Sequence, residues 1–239
     1  MNNLDIFVIH LERVEPLFIR LKKQLDDFGL SYNVFPAFDG EKIKNPTMKV
    51  LKRMDNPMYK QFEYKRTYSP GSLSCSLSHI AIIKYAKMMG LKSYMVLEED
   101  AVLSKDFLER LEELKNVPED ADMIYLGGIS HIGLSSKKYK INENLYDAKM
   151  MQLFGTHAMV IYEKGYDIIS DSMESHTDFI DSSLMYAIRK KYTIKAYALI
   201  PFCVYQDNDF SYTLNKYTKN RHLTKTLYSD NEVRRKAFP

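Results

Sequence analysis

Asp5-Ile6-Phe7-Val8-Ile9-His10, followed by a helical pattern ending near Gly29 and by residues 31–37, is the stretch that decides the fold. The opening run is short, apolar and rich in β-formers, so it reads as a buried strand. Pro16 falls in the first turn of the next element, where a helix tolerates proline, and Gly29 falls just past its end. Between them Leu17, Leu21, Leu25 and Phe28 recur at helical spacing, leaving Lys22, Lys23, Asp26 and Asp27 for water. Residues 31–37 read as a second strand. Strand, helix and strand in this space form a βαβ unit, which implies a parallel pair. The predicted class is therefore α/β, with a mostly parallel central sheet flanked by helices.

The rest of the chain continues the alternation. Helices are predicted over residues 74–89, 106–115, 164–173 and 180–190, and strands over 93–97, 122–126, 157–162 and 193–199. With 239 residues and 45% hydrophobic content, one domain over residues 1–212 is expected. Residues 41–66 interrupt it with weak periodicity, two prolines and one short helix near 47–54, and residues 213–239 form a polar tail. Both segments are basic. The first has eight Lys or Arg against three acids and the second seven against two, while the whole chain carries only +3. That modest total argues against a nucleic-acid partner. An acidic body with two basic segments suits peripheral contact with an anionic membrane or glycan, and solvated loops are the plainer reading.

Several classes are excluded early. Cys75 and Cys203 make no disulfide framework and no cysteine-rich zinc pattern, and both are expected to be buried and reduced. No apolar run reaches the roughly 18 residues of a membrane span, and the first residues lack the basic-then-apolar order of a secretory leader. The expected location is the cytoplasm, at the inner face of the inner membrane where the basic segments touch it. Neither Gly-x-Gly-x-x-Gly nor Gly-x-x-x-x-Gly-Lys occurs, which counts against Rossmann dehydrogenases and P-loop kinases.

The sharpest chemical feature is Leu97-Glu98-Glu99-Asp100, directly after an apolar strand. In extended chain Glu98 and Asp100 point one way and Glu99 the other. Two carboxylates so close repel unless a proton or cation lies between them. At the carboxyl end of a parallel strand, where α/β sheets bind ligands, Mg²⁺ or Mn²⁺ is a natural partner. A solvated acidic turn is the alternative.

The flanking blocks carry a resemblance. Ile9-His10-Leu11-Glu12-Arg13, Phe35-Pro36-Ala37-Phe38-Asp39-Gly40, Gly71-Ser72-Leu73-Ser74-Cys75-Ser76-Leu77-Ser78-His79 and Leu97-Glu98-Glu99-Asp100 come first. Then follow Gly155-Thr156-His157-Ala158, Asp181-Ser182-Ser183-Leu184 and a last block from Pro201 to Gln206 with Phe210-Ser211. In this order and spacing the chain resembles glycosyltransferase family 25, the lipooligosaccharide galactosyltransferase-like enzymes, along most of residues 5–212. His10 stands where the family usually has Asn, Leu17 where Arg is frequent, and Glu99 where the first Asp of an Asp-Asp pair belongs. The Pro-Val that usually precedes the later Asp is absent.

The resemblance implies a GT-A-like, Rossmann-related fold, an inverting mechanism, a UDP-sugar donor and Mn²⁺ or Mg²⁺. The lipooligosaccharide branch fits better than the longer, secreted collagen-modifying relatives, with galactose the leading sugar. Asp100 and then Glu98 are the expected metal ligands. Glu99 is expected to touch ribose or brace a loop. Arg13 and Asp39 are expected to meet uridine or diphosphate, or else each other. Ser78, His79 and Gln206 are further donor-side candidates, with Ser211 beside them, and His79 and His157 have plain structural readings as well. An inverting transfer needs one base for the acceptor hydroxyl. Asp181 is the candidate and Asp178 the substitute, although either suits a helix N-cap. Cys75 and His79 share a helix face, but their packed surroundings argue against a hydrolase nucleophile. Two other functions compete: a sugar nucleotidyltransferase, and a catalytically inactive glycan- or membrane-binding module.

Overall fold

In the computed structural model the described residues are 4–42, 70–130, 139–175, 179–191 and 193–207. All but the first two residues of the basic excursion, the helix expected near 47–54, the tail at 213–239, Asp178 and Ser211 lie outside them. The chain forms β1 (Asp5–His10), α1 (Glu15–Asp27), β2 (Asn33–Pro36), α2 (Pro70–Met88), β3 (Ser93–Glu98), β4 (Ala101–Leu103), α3 (Phe107–Leu111) and β5 (Met123–Tyr125). It continues through β6 (Ile129–Ser130), β7 (Leu145–Asp147), β8 (Leu153–Phe154), β9 (Ala158–Tyr162), α4 (Tyr166–Ser175), α5 (Ile180–Tyr186), β10 (Ala196–Leu199) and β11 (Val204–Gln206).

The βαβ reading of the N-terminus holds. β1 pairs in parallel with β2, Val8 opposite Val34, and on its other side with β3, Phe7 opposite Val96. The seven-stranded sheet has the order β2-β1-β3-β9-β5-β10-β7. Strands β2, β1, β3, β5 and β10 run one way, β9 and β7 the other. This is the mostly parallel α/β sheet expected, in a GT-A-like arrangement.

Alternation along the strands divides the core into two layers. Phe7, Tyr94, Val96, Met123, Tyr125, Met159 and Ile161 face the side packed by α2, α4 and α5. Ile6, Val8, Met95, Leu97, Ile124 and Val160 face the side packed by α1 and α3. Leu21 and Leu25, the apolar stripe read from the sequence, are fully buried in the second layer. Each such side chain contributes about 1.5–3 kcal/mol by leaving water. Gly29 ends α1 at φ +66, a conformation that favours glycine.

The helix expected from residue 74 starts four residues earlier, at Pro70. Proline suits a helix's first turn, where its missing N–H costs nothing. The buried hydroxyls of Ser74, Ser76 and Ser78 donate to the carbonyls of Pro70, Ser72 and Ser74, so a serine-rich turn can enter the core without stranded donors. Toward the other end, the helix expected over 180–190 is α-helical to Tyr186 and widens into a π turn over Ala187–Lys191. Among the described residues, no helix is long and apolar enough to cross a membrane.

The reversed strand β9 has the largest effect on the site. Because it runs against β3 and β5, the residues that precede it, 155–157, arrive at the carboxyl ends of those strands. The Glu98 amide donates to the His157 carbonyl at 2.9 Å, just beyond the Leu97–Ala158 pair. Beside this junction β4 and β11 form a two-stranded ribbon with Ala101 opposite Gln206, which brings Gln206 back to the acid cluster.

Candidate active site

β3 stops at Glu98, and residues 99–100 turn into β4, so the three acids diverge. Glu98 Oε1 accepts from Thr156 Oγ1 at 2.6 Å and lies 3.0 Å from His79 Nε2. Burial acts to raise the Glu98 carboxyl, but the hydrogen bond and charge of His79, with the Thr156 hydroxyl and His157, hold it below its ordinary value. Glu99 turns to the end of β1. Its Oε2 accepts from the Leu11 amide at 3.0 Å and sits 2.9 Å from His10 Nδ1. Burial pushes Glu99 up to about 7 against those bonds. Of the two roles expected for Glu99, the geometry contains the loop brace.

Asp100 is the least satisfied of the three. Gln206 Nε2 donates to its Oδ2 at 2.9 Å, while its Oδ1 is buried without a partner among the described residues. Burial and the nearby Glu98 charge push Asp100 up to about 8, with Gln206 and Arg20 acting in the opposite direction. A desolvated acid beside a second carboxylate, with one oxygen idle, is an arrangement that a divalent cation relieves. Asp100 and Glu98 therefore fit the hard, oxygen-binding ion expected from the sequence.

Asp181 joins this centre through the lead-in to β9. The Gly155 amide donates to Asp181 Oδ2 at 3.2 Å, and the Ser182 amide to Oδ1 at 2.6 Å. Gly155 and Thr156, adjacent in the chain, thus hold one carboxylate from α5 and one from β3. The N-cap of α5 is Phe179, without a side-chain cap bond, so Asp181 lies within the first turn and the N-cap reading of it does not hold. The charges of Glu98, Asp181 and Asp100 all act to raise the Cys75 thiol. Burial first, and those charges next, drive that thiol well above its ordinary value in the metal-free protein, which disfavours a nucleophilic role. The Tyr125 hydroxyl, at the carboxyl end of β5, is also buried without a partner among the described residues, and burial and the Asp181 charge raise its pKa.

Other expected residues are engaged elsewhere. Arg13 Nε lies 3.4 Å from Asp39 Oδ1 and Arg13 Nη1 3.5 Å from Glu41, which is the mutual pairing weighed as the alternative to donor contact. The Ser78 hydroxyl accepts from the Phe38 amide and donates to the Ser74 carbonyl, tying α2 to the loop after β2. His157 is buried against Gly127, where an added Cβ would come within 2.4 Å of its Nε2. Of the two cysteines, both free, Cys203 is buried as expected, whereas Cys75 is partly exposed. It packs against the apolar layer under α2 and also lies beside the Glu98 end of β3.

Sequence reasoning missed Thr156 as an acid-binding group, and Arg20. Arg20 pairs with Asp207, whose amide donates to the Asp100 carbonyl at 2.9 Å. Its Nε and Nη2 are buried without partners among the described residues. The available signal was spacing: Arg20 falls one helical turn after Leu17, where the family resemblance calls for Arg.

The raised acids make a pH-dependent stability expected for the metal-free protein. Glu99 and Asp100 hold protons in the folded state that the unfolded chain has already released. Their contribution is therefore complete below the ordinary carboxylate range and is lost as pH rises toward about 7 and 8. Glu98 has the opposite sign, but its stabilisation fades only below the ordinary carboxylate value. Thermal melts should show Tm falling between about pH 5 and about pH 8 and Asp100→Asn flattening that slope; a rising profile contradicts the assignment.

The chain is similar to proteins far longer than itself. It is 32% identical over 127 residues to a protein of Bos taurus named probable inactive glycosyltransferase 25 family member 3, covering 52% of this chain and 21% of the relative. It is 26% identical over 127 residues to human procollagen galactosyltransferase 2, covering 52% of this chain and 20% of that protein. The chain thus spans about a fifth of the length of these relatives. A solved glycosyltransferase involved in glycosylation of the major capsid of PBCV-1 superposes with a TM-score of 0.45 at 7% identity, covering 85% of this chain and 94% of the other. The family model described as glycosyltransferase family 25 (LPS biosynthesis protein) matches residues 3–172, a span holding β1, α2, the acids after β3 and the Gly155–Thr156 clasp. The chain belongs to glycosyltransferase family 25.

Proposed function

We propose that the protein is an inverting, metal-assisted transferase that moves a sugar, galactose first among the choices, from a UDP-sugar to a lipooligosaccharide-type acceptor. One observation carries the reading: Asp100, its Oδ1 buried without a partner among the described residues, beside Glu98 at the carboxyl edge of the sheet, with Glu98 linked through Thr156 and Gly155 to Asp181. Family membership supports the reaction class. The family's description as LPS biosynthesis protein supports the acceptor, and a relative named procollagen galactosyltransferase supports the sugar.

Asp100 and Glu98 would hold Mn²⁺ or Mg²⁺, which supplies positive charge to a departing diphosphate. The protein's own groups do the rest. Thr156 and His79 fix the Glu98 carboxylate, and Gln206 fixes that of Asp100. Asp181, oriented by the Gly155 and Ser182 amides, accepts the acceptor's hydroxyl proton. As that oxygen bonds to the anomeric carbon, the bond to UDP breaks on the opposite face and UDP leaves with the electron pair. Asp178 is the substitute base. The basic segments 41–66 and 213–239 we read as the contact with an anionic, acceptor-bearing membrane on the cytoplasmic side.

A second reading, an inactive glycan-binding module, is favoured by the relatives named inactive. Incubation with UDP-galactose and Mn²⁺ separates the two. Release of UDP is expected, increasing with acceptor, whereas a binding module releases none. A nucleotidyltransferase would instead form pyrophosphate from UTP and a sugar phosphate.

A further inference from the structure

Cys75 and His79 are four residues apart on α2, so both side chains leave the helix on one face. Facing them is Glu98. The Cys75 Sγ, a His79 ring nitrogen and a Glu98 carboxylate oxygen all lie within 4.8 Å of one another. His79 Nε2 is already 3.0 Å from Glu98 Oε1, and Thr156 Oγ1 braces the same oxygen at 2.6 Å.

Thiolate, imidazole and carboxylate are the donors that four-coordinate zinc takes. At bond lengths of about 2.0–2.3 Å they would sit about 3.5 Å apart. Drawing these three together takes side-chain adjustments on the order of 1 Å. Asp100 and Gln206, by contrast, offer only oxygen to a cation, which suits Mg²⁺ or Mn²⁺. Donor softness thus separates two positions that would share Glu98. The Thr156 hydroxyl serves as the outer hydrogen bond that orients a ligating carboxylate. Access is available too, since Cys75 and Glu98 are partly exposed while His79 is buried.

We propose that Cys75, His79 and Glu98 form a second cation site, for a thiophilic divalent ion such as Zn²⁺, beside the oxygen-only position at Asp100. On binding, the thiol gives its proton to solvent as the sulfur–metal bond forms, the proton held between His79 Nε2 and Glu98 Oε1 passes to solvent or to His79 Nδ1, and two bonds to the ion replace that hydrogen bond. Glu98 is common to both positions, so filling this site withdraws it from the donor's metal. That last consequence rests on the function proposed above; the binding does not.

The test is a titration of the full chain with Co²⁺, standing in for Zn²⁺ because its thiolate complexes absorb strongly in the near ultraviolet. A sulfur-to-cobalt charge-transfer band and visible bands of a tetrahedral ion should grow to one equivalent. Zn²⁺ should erase them, and excess Mg²⁺ should not. Cys75→Ser should remove the charge-transfer band, while Asp100→Asn should keep it. Co²⁺ bound without that band in the parent protein, no bound Co²⁺, or a band that survives Cys75→Ser in a folded variant would each overturn the proposal. If the Cys75→Ser variant misfolds, a parent protein without the band still overturns the proposal, and His79→Ala or Glu98→Gln, each expected to weaken the band, takes the variant's place. Because the readout is spectroscopic, loss of the site and failure of UDP release are separate results.

Discussion

Asp100→Asn is expected to lower Mn²⁺-dependent release of UDP from UDP-galactose on the order of a thousandfold. Lewis-acid assistance to a leaving group is worth several kcal/mol, and each 1.36 kcal/mol is a decade in rate, so about three decades follow. The substitution is mild for the fold. Asparagine retains an oxygen for Gln206 Nε2 and removes a carboxylate with one buried oxygen short of a partner and the Glu98 charge nearby. Relative to the parent, the variant should therefore gain stability as pH rises toward about 8. Opposite changes in activity and relative stability distinguish loss of a metal ligand from simple unfolding. Full activity in the variant would remove Asp100 from the metal.

Asp181→Asn should lower turnover at least about a hundredfold, the usual scale of a positioned base, while UDP-sugar binding persists. The carboxylate now accepts from two amides, Gly155 through one oxygen and Ser182 through the other. Asparagine must turn its NH₂ toward one of these donors, so a small shift of the Gly155 loop is expected as well. Equilibrium binding of UDP-galactose measured beside the rate separates the two effects: a base affects turnover, a displaced loop affects affinity. Near-normal turnover would move the base to Asp178 or beyond.

Much of the architecture was legible because burial imposes periodicity. Leu21 and Leu25 repeat at helical spacing and are fully buried, and the run after Asp5 became the strand that carries β2 and β3. The direction of β9 was not legible. Ala158–Tyr162 is buried along nearly its whole length, and a uniformly apolar strand reads the same in either direction. Yet that direction is what delivers Gly155 and Thr156 to the acids. The division of the acid cluster was legible only for Glu99, which does turn to His10 and Leu11; residues 99–100 are a turn rather than extended chain, so Glu98 and Asp100 part as well, to Thr156 and to Gln206. Gln206 was foreseen beside the donor, but its bond to Asp100 spans 106 residues and depends on the β4–β11 ribbon, which no local pattern encodes. Thr156 has no periodic or charged signature at all; only its hydrogen bond to Glu98 shows its place.

Calorimetric titration of Mn²⁺ into the metal-free protein, with and without UDP, addresses the centre of the account. Binding that UDP tightens, and that Asp100→Asn removes, is the expected result. If neither Mn²⁺ nor Mg²⁺ associates with the protein, even with UDP present, the acids that follow β3 do not hold a diphosphate-binding ion and the proposed transfer chemistry is wrong.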